Sequence, residues 1–157
     1  MTTFNRGLVA FVVIPGFVAL NLALAPGAAS VTASERNRRL HVEKDCTDYN
    51  FAAGGFCTIK VSNLSEIQVD SKVIYDQAFG IPAGLLDSNV VLDAGNGDRA
   101  VGRCTLDGAA GSGLCTFSDG TGRLAGFHAR VDVSYLGGNH WAWDGTYGFS
   151  RESDKDR

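Results

Sequence analysis

The sequence predicts an all-β fold, a small antiparallel barrel or sandwich of seven or eight short strands. Three observations carry this. Apolar and polar residues alternate with a period of two in several stretches, glycine is abundant, and no window shows sustained helical periodicity capped at both ends. Of the 20 glycines, 17 follow residue 30, about 13% of that stretch where roughly 7% is usual, and Pro82 is its single proline. Many glycines with few prolines suit tight turns between paired strands.

The first thirty residues stand apart. Met1 to Arg6 is polar with one positive charge, Gly7 to Ala25 is almost entirely apolar, and Gly27, Ala28, Ala29 and Ser30 are small. This is the layout of a secretory signal peptide over residues 1–30, with cleavage expected near Ser30. An uncleaved membrane anchor is the competing reading, because the apolar run approaches the roughly 20 residues that span a bilayer. Pro15 and Asn21 interrupt that run, and the small-residue exit favours cleavage, leaving no stable membrane span after processing. No cysteine lies at the exit to carry a lipid. Processing leaves 127 residues, one domain's worth of chain, with 13 positive and 17 negative side chains. That mild acidity excludes a nucleic-acid partner, which needs a basic stripe. Arg36, Arg38 and Arg39 cluster, but Glu35, Glu43 and Asp45 surround them. Residues 31–45 therefore read as a flexible, solvated N-terminal arm.

From residue 46 the strands follow in order. Phe56 to Val61 is a candidate, and Lys72 to Phe79 and Asn89 to Asp93 are rich in β-formers. Gly80 to Leu86 reads as a loop or a short helical turn. Gly95-Asn96-Gly97-Asp98 has hairpin chemistry, and Arg99 to Leu106 leads into the glycine-rich stretch Gly108 to Gly113, from which Leu114 to Phe117 returns. The clearest strand is Phe127 to Tyr135, where Phe127, Ala129, Val131, Val133 and Tyr135 alternate with polar residues. In the last, Trp141 to Ser150, Trp141, Trp143, Tyr147 and Phe149 share one side. Residues 46–150 make the barrel domain, and residues 151–157 a polar C-terminal tail.

Four cysteines allow three pairings. Ten residues separate Cys46 from Cys57, and ten separate Cys104 from Cys115. Cys104 and Cys115 flank a glycine-rich turn, so two strands meeting there bring them opposite each other, within disulfide reach. Local pairs Cys46–Cys57 and Cys104–Cys115 are expected, with crossed pairing as the alternative. A metal site is not expected, because the short knuckles of structural zinc sites are missing, and so is the C-x-x-C of a redox dithiol. Disulfides and an export signal together indicate a secreted or periplasmic protein.

The stretch Phe117-Ser118-Asp119-Gly120-Thr121-Gly122-Arg123-Leu124-Ala125-Gly126-Phe127 resembles the F-x-x-G-T-G-x-[FL]-x-G-[AF] segment of the allene oxide cyclase barrel-like and dirigent-like proteins, whose uncharacterised exported bacterial members it is similar to. Trp143-Asp144-Gly145-Thr146-Tyr147 looks like the closing strand of the same group. The resemblance covers residues 88–150. It implies an antiparallel, calycin-like barrel of about eight strands with a central cavity, after the N-terminal signal helix, and it makes a homo-oligomer possible. The motif is architectural: Gly120 and Gly122 allow a tight turn, and Gly126 a bend on a curved sheet. It carries no catalytic group, and function on a shared fold must be argued from a site.

The chemistry-bearing residues are sparse. His41, His128 and His140 are the only histidines. Asp132 lies on the same strand face as His128, but that face is polar, and exposure is the simpler account. His140 with Asp144 lacks a third metal ligand. No G-x-S-x-G or S-x-x-K marks an activated serine, so no catalytic residue is assigned and no cofactor is implied. The best candidate for ligand contact is the aromatic set Trp141, Trp143, Tyr147 and Phe149 with Tyr135 and Phe127, although inward aromatics are more often plain core. The sequence thus points to a non-catalytic barrel that binds a small apolar ligand or self-associates. A cyclase- or isomerase-like enzyme acting in the cavity and a cell-surface interaction protein are the alternatives.

Overall fold

The computed structural model describes residues 38–80 and 83–150 of the chain. The expected signal peptide, residues 1–30, and the polar tail, residues 151–157, lie outside them. Eight strands run in chain order: β1 (Arg38–Asp45), β2 (Phe56–Ser62), β3 (Lys72–Tyr75), β4 (Leu85–Asp93), β5 (Arg99–Asp107), β6 (Ser112–Thr121), β7 (Phe127–Gly137) and β8 (His140–Phe149). Each pairs antiparallel with its chain neighbours, and β8 returns to pair with β1 along its whole length, from Arg38 opposite Tyr147 to Asp45 opposite His140. The sheet is a closed barrel. Closure leaves no strand edge to satisfy, which decides against a sandwich. Among the described residues no helix is long and apolar enough to cross a membrane.

One boundary is corrected. Residues 38–45, expected to belong to a flexible arm, form β1, the strand that closes the barrel. Leu40, Val42 and Lys44 point inward, while Arg38 and Arg39 are exposed and His41, Glu43 and Asp45 take the outer phase. Of the charges that suggested an arm, Arg39, Glu43 and Asp45 lie on the outer face of this strand, and Arg38 is exposed at its start. The barrel therefore begins at Arg38 rather than at residue 46. Leu85 to Ser88, read as the end of a loop or turn and its sequel, likewise belong to β4.

Both disulfides are local: Cys46–Cys57, with α-carbons 4.2 Å apart, and Cys104–Cys115, at 4.1 Å. Cys104 and Cys115 face each other directly across the β5–β6 ladder. The β1–β2 ladder ends with Asp45 opposite Thr58, so the next step brings Cys46 to Cys57. The crossed alternative is set aside.

Register irregularities let the sheet curl. They fall between Glu43 and Lys44 against β2, between Val101 and Gly102 against β6, and between Tyr135 and Gly137 against β8. A residue left unpaired on one strand bends it and raises its twist. The Phe117–Phe127 segment supplies a further corner. It carries a single 3-10 turn, Gly122–Leu124, with Gly122 at φ +59°. A β-carbon there would strike the Asp98 carboxylate. Asp98 accepts hydrogen bonds from the Arg123 backbone N–H at 2.9 Å and from Arg123 Nε at 2.6 Å. The glycine is needed because the carboxylate that holds the turn occupies the space a side chain would use.

The interior is filled unevenly. At one end Phe117 packs on Phe127 and Trp143, with ring centroids 6.0 and 5.3 Å apart. Phe127 also stacks on Phe149 at 5.5 Å and Tyr147 at 6.2 Å. Burying rings of this size is worth roughly 2–3 kcal/mol each. The other end is not filled.

Candidate functional site: a cavity at one end of the barrel

The unfilled end holds a cavity of about 180 Å³. Its walls draw on both disulfides, on Leu86, Leu106 and Val133, and on the rings of Tyr49, Phe51, Tyr75, Phe79, Tyr135 and Trp141. The strand positions explain the space. Where the opposite end carries large inward side chains, Cys57, Cys104 and Cys115 take inward positions here, and Gly108 begins the turn. Two loops supply an aromatic rim: Tyr49 and Phe51 come from the segment between β1 and β2, and Phe79 from that between β3 and β4. Phe51 touches Tyr49 and Phe79, at centroid distances of 5.4 and 5.8 Å, and the Phe79 amide donates to the Phe51 carbonyl. Phe51 is 62% exposed and sits at φ +60°, a conformation costly for a bulky residue.

Among the described residues the one charged side chain in this lining is a lysine. Lys44 is the third inward residue of β1 and only 3% exposed. Its Nζ donates to Tyr75 Oη at 2.7 Å and lies 4.4 Å from the centroid of the Trp143 ring, with the Tyr75 ring at 5.4 Å. Among the described residues no aspartate, glutamate, histidine or arginine lines the cavity. Burial brings the Lys44 amine down to about 7, and no charged neighbour contributes. The cause is the cost of holding an ion in an apolar wall, which the faces of two rings offset only in part. Tyr75 is pushed up, chiefly by burial and further by Tyr49, so its hydroxyl stays protonated. Tyr49, whose ring packs on Tyr75 at 5.2 Å, is also raised by burial. Its hydroxyl is buried and finds no hydrogen-bond partner among the described residues. The polar groups in the lining are therefore an amine, hydroxyls and an amide set among rings.

The aromatic set expected from the sequence divides between the two ends. Trp141 and Tyr135 line the cavity, their rings 4.9 Å apart, with Tyr135 51% exposed. Trp143 is fully buried against Lys44. Phe127, Tyr147 and Phe149 pack together at the filled end and are not in the cavity lining. Lys44, Tyr75, Tyr49, Phe51 and Phe79 did not emerge from the sequence. The signal that would have found Lys44 is the alternation Leu40-His41-Val42-Glu43-Lys44, which puts a lysine in the apolar phase of a strand.

The histidines lie away from the cavity lining. His41 Nδ1 meets Asp144 Oδ1 at 2.7 Å across the β1–β8 pair, and this hydrogen bond raises the imidazole above its ordinary value. His128 is half-buried, its Nδ1 3.3 Å from the Gly126 carbonyl and from Ser150 Oγ. Among the described residues no three histidine, cysteine, aspartate or glutamate side chains gather to hold a metal ion. Compared with known proteins, the chain matches no family model, no curated protein and no solved structure.

Proposed function

We propose that this chain is an exported, disulfide-stapled barrel that holds one small, ring-sized apolar ligand in the cavity at its open end. The observation that carries the reading is the cavity itself, about 180 Å³ and walled mainly by aromatic and aliphatic side chains. An engineered apolar cavity of about 150 Å³ stays dry and takes up benzene, so a single ring is the right scale. Most ligand sites are larger, at roughly 300–1,000 Å³, which argues against a long-chain lipid. Export is supported by the two disulfides, which persist in oxidising compartments, and by the signal-like first thirty residues. Membership of the allene oxide cyclase barrel-like and dirigent-like group is part of the same proposal, supported by the Phe117–Phe127 motif and the closed eight-stranded barrel.

The chain's two tryptophans both serve as reporters, Trp141 in the cavity wall and Trp143 against Lys44. Titration with benzyl alcohol and with toluene should give a saturable change in tryptophan emission. Emission that responds to neither probe up to its solubility limit overturns the reading. A second reading, an enzyme of the isomerase or cyclase kind, is favoured by the buried Lys44–Tyr75 pair, an ionisable group displaced from its ordinary range inside a pocket. A turnover assay with unsaturated ring-sized substrates, comparing wild type with Lys44→Met, tests it.

A further inference from the structure

We propose that Lys44 is an amine nucleophile, and that a small aldehyde or ketone entering the cavity condenses reversibly with its Nζ to form an imine, with Tyr75 handling the proton. The inference rests on the cavity's being a small-ligand site and names the chemical class of that ligand.

The geometry assigns the role to this lysine. An ammonium group out of water needs an acid partner, and without one it sheds its proton. Lys44 has a phenol at 2.7 Å and two ring faces, but among the described residues no carboxylate lines its cavity. The other described lysines differ. Lys60 is 3.5 Å from Asp70 with both side chains exposed, and Lys72 lies in solvent over the Phe56 ring. A desolvated lysine in an apolar pocket is the form in which this side chain attacks carbonyl carbon. The amine near 7 fits that role. A carboxylate ligand fits less well, since it would have to be stripped of water inside an apolar wall to pair with an amine that burial already disfavours as an ion.

The chemistry balances without a co-reactant. The Nζ lone pair forms a C–N bond to the carbonyl carbon, and the carbonyl π pair moves to oxygen. That oxygen takes a proton as nitrogen gives one up, yielding a carbinolamine. Nitrogen then expels the oxygen as water after a second protonation and loses its remaining proton, leaving C=N. One carbonyl compound and one amine become one imine and one water, and nothing is oxidised or reduced. Since Nζ donates to Tyr75 Oη, the phenolic proton remains free to be passed to the oxygen as it forms and leaves. The raised Tyr75 keeps that proton in place at neutral pH.

The test is reductive trapping. The purified protein is incubated with benzaldehyde and sodium cyanoborohydride at pH 7, digested, and the benzylated lysines are mapped by mass spectrometry. Lys44 should be labelled at least tenfold faster than Lys60 or Lys72, because well under a hundredth of an ordinary lysine is neutral at that pH. Benzyl alcohol, which has the ring without the carbonyl, should suppress labelling at Lys44 alone, and urea should abolish the advantage. Tyr75→Phe should slow Lys44 labelling severalfold. Labelling spread evenly over Lys60, Lys72 and Lys44 in the wild type overturns the proposal without recourse to any variant, and unslowed labelling in Tyr75→Phe removes the part given to Tyr75. If benzyl alcohol perturbs tryptophan emission while Lys44 stays unlabelled, the imine falls and the ligand site stands. If neither responds, both fall.

Discussion

Lys44 Nζ and Tyr75 Oη stand 2.7 Å apart inside the barrel although they lie 31 positions apart in the chain. Neither strand alone creates this contact: β1 and β3 are not neighbours in the sheet, and β2 lies between them. The two side chains meet because both point inward in a barrel narrow enough for strands two apart to touch.

Replacing Lys44 with methionine should stabilise the protein at pH 6.5 and do so less at pH 9. The unfolded lysine keeps its proton up to about 10.5, whereas the folded one gives it up near 7. Between those values the unfolded chain binds more protons, so wild-type stability rises with pH, and the penalty is full below about 7. At ~1.4 kcal/mol per unit the penalty reaches roughly 5 kcal/mol. Losing the hydrogen bond to Tyr75 takes back about 1 kcal/mol. Urea unfolding of both proteins at pH 6.5, 8 and 9 checks the slope. A wild type as stable at 6.5 as at 9 contradicts it.

Tyr75→Phe should cost about 1–2 kcal/mol at pH 8, since it leaves the buried amine with ring faces only. In the Lys44→Met background the same change should cost little. The coupling read from the four proteins should be about 1 kcal/mol, measured by denaturant unfolding. A coupling near zero means that the two groups do not interact in solution.

The disulfides should be unequal in worth. Both close loops of the same length, with sequence separation 11, so chain entropy assigns each ~3 kcal/mol. Cys104 and Cys115 are both buried, whereas Cys46 is only partly so. Cys104→Ala with Cys115→Ala also opens space in the core wall, and should lower stability by about 1 kcal/mol more than Cys46→Ala with Cys57→Ala. Paired thermal melts decide it. Equal losses would mean that loop closure alone matters.

Asp98→Asn should lower the melting temperature by several degrees at pH 7 and by progressively less as the pH falls below about 4. The Arg123 backbone N–H and then its side chain hold the Asp98 carboxyl below its ordinary range. Stability from a depressed carboxyl is present above the unfolded value near 4 and is lost as pH falls through the folded one. Melting curves across pH 3 to 7 should converge at the acid end. Parallel curves would refute the coupling.

Much of the architecture was legible because strand period and turn chemistry are local. Phe127 to Val133 alternate in the sequence as they do in β7, and Cys104 faces Cys115 because a glycine turn folds one strand onto the next. The arm assigned to residues 31–45 hid β1, since six of that strand's eight residues are charged or histidine, against two aliphatics. Only pairing with β8 shows that all of them but Lys44 are exposed or take the outer phase of a strand. The aromatic set was found by type but not by location, and Phe127, Tyr147 and Phe149 fill the end opposite the cavity.

By itself the sequence located most strands after residue 46 and the glycine turns between them, and favoured the local cysteine pairs, since these depend on neighbours within a dozen positions. The tertiary structure alone decided that the sheet closes with β8 on β1, that one end is packed and the other hollow, and that a lysine stands there beside a tyrosine without an acid. The physical reason is that desolvation is set by everything surrounding a group. Lys44 departs from an ordinary lysine only once eight strands have removed the water around it.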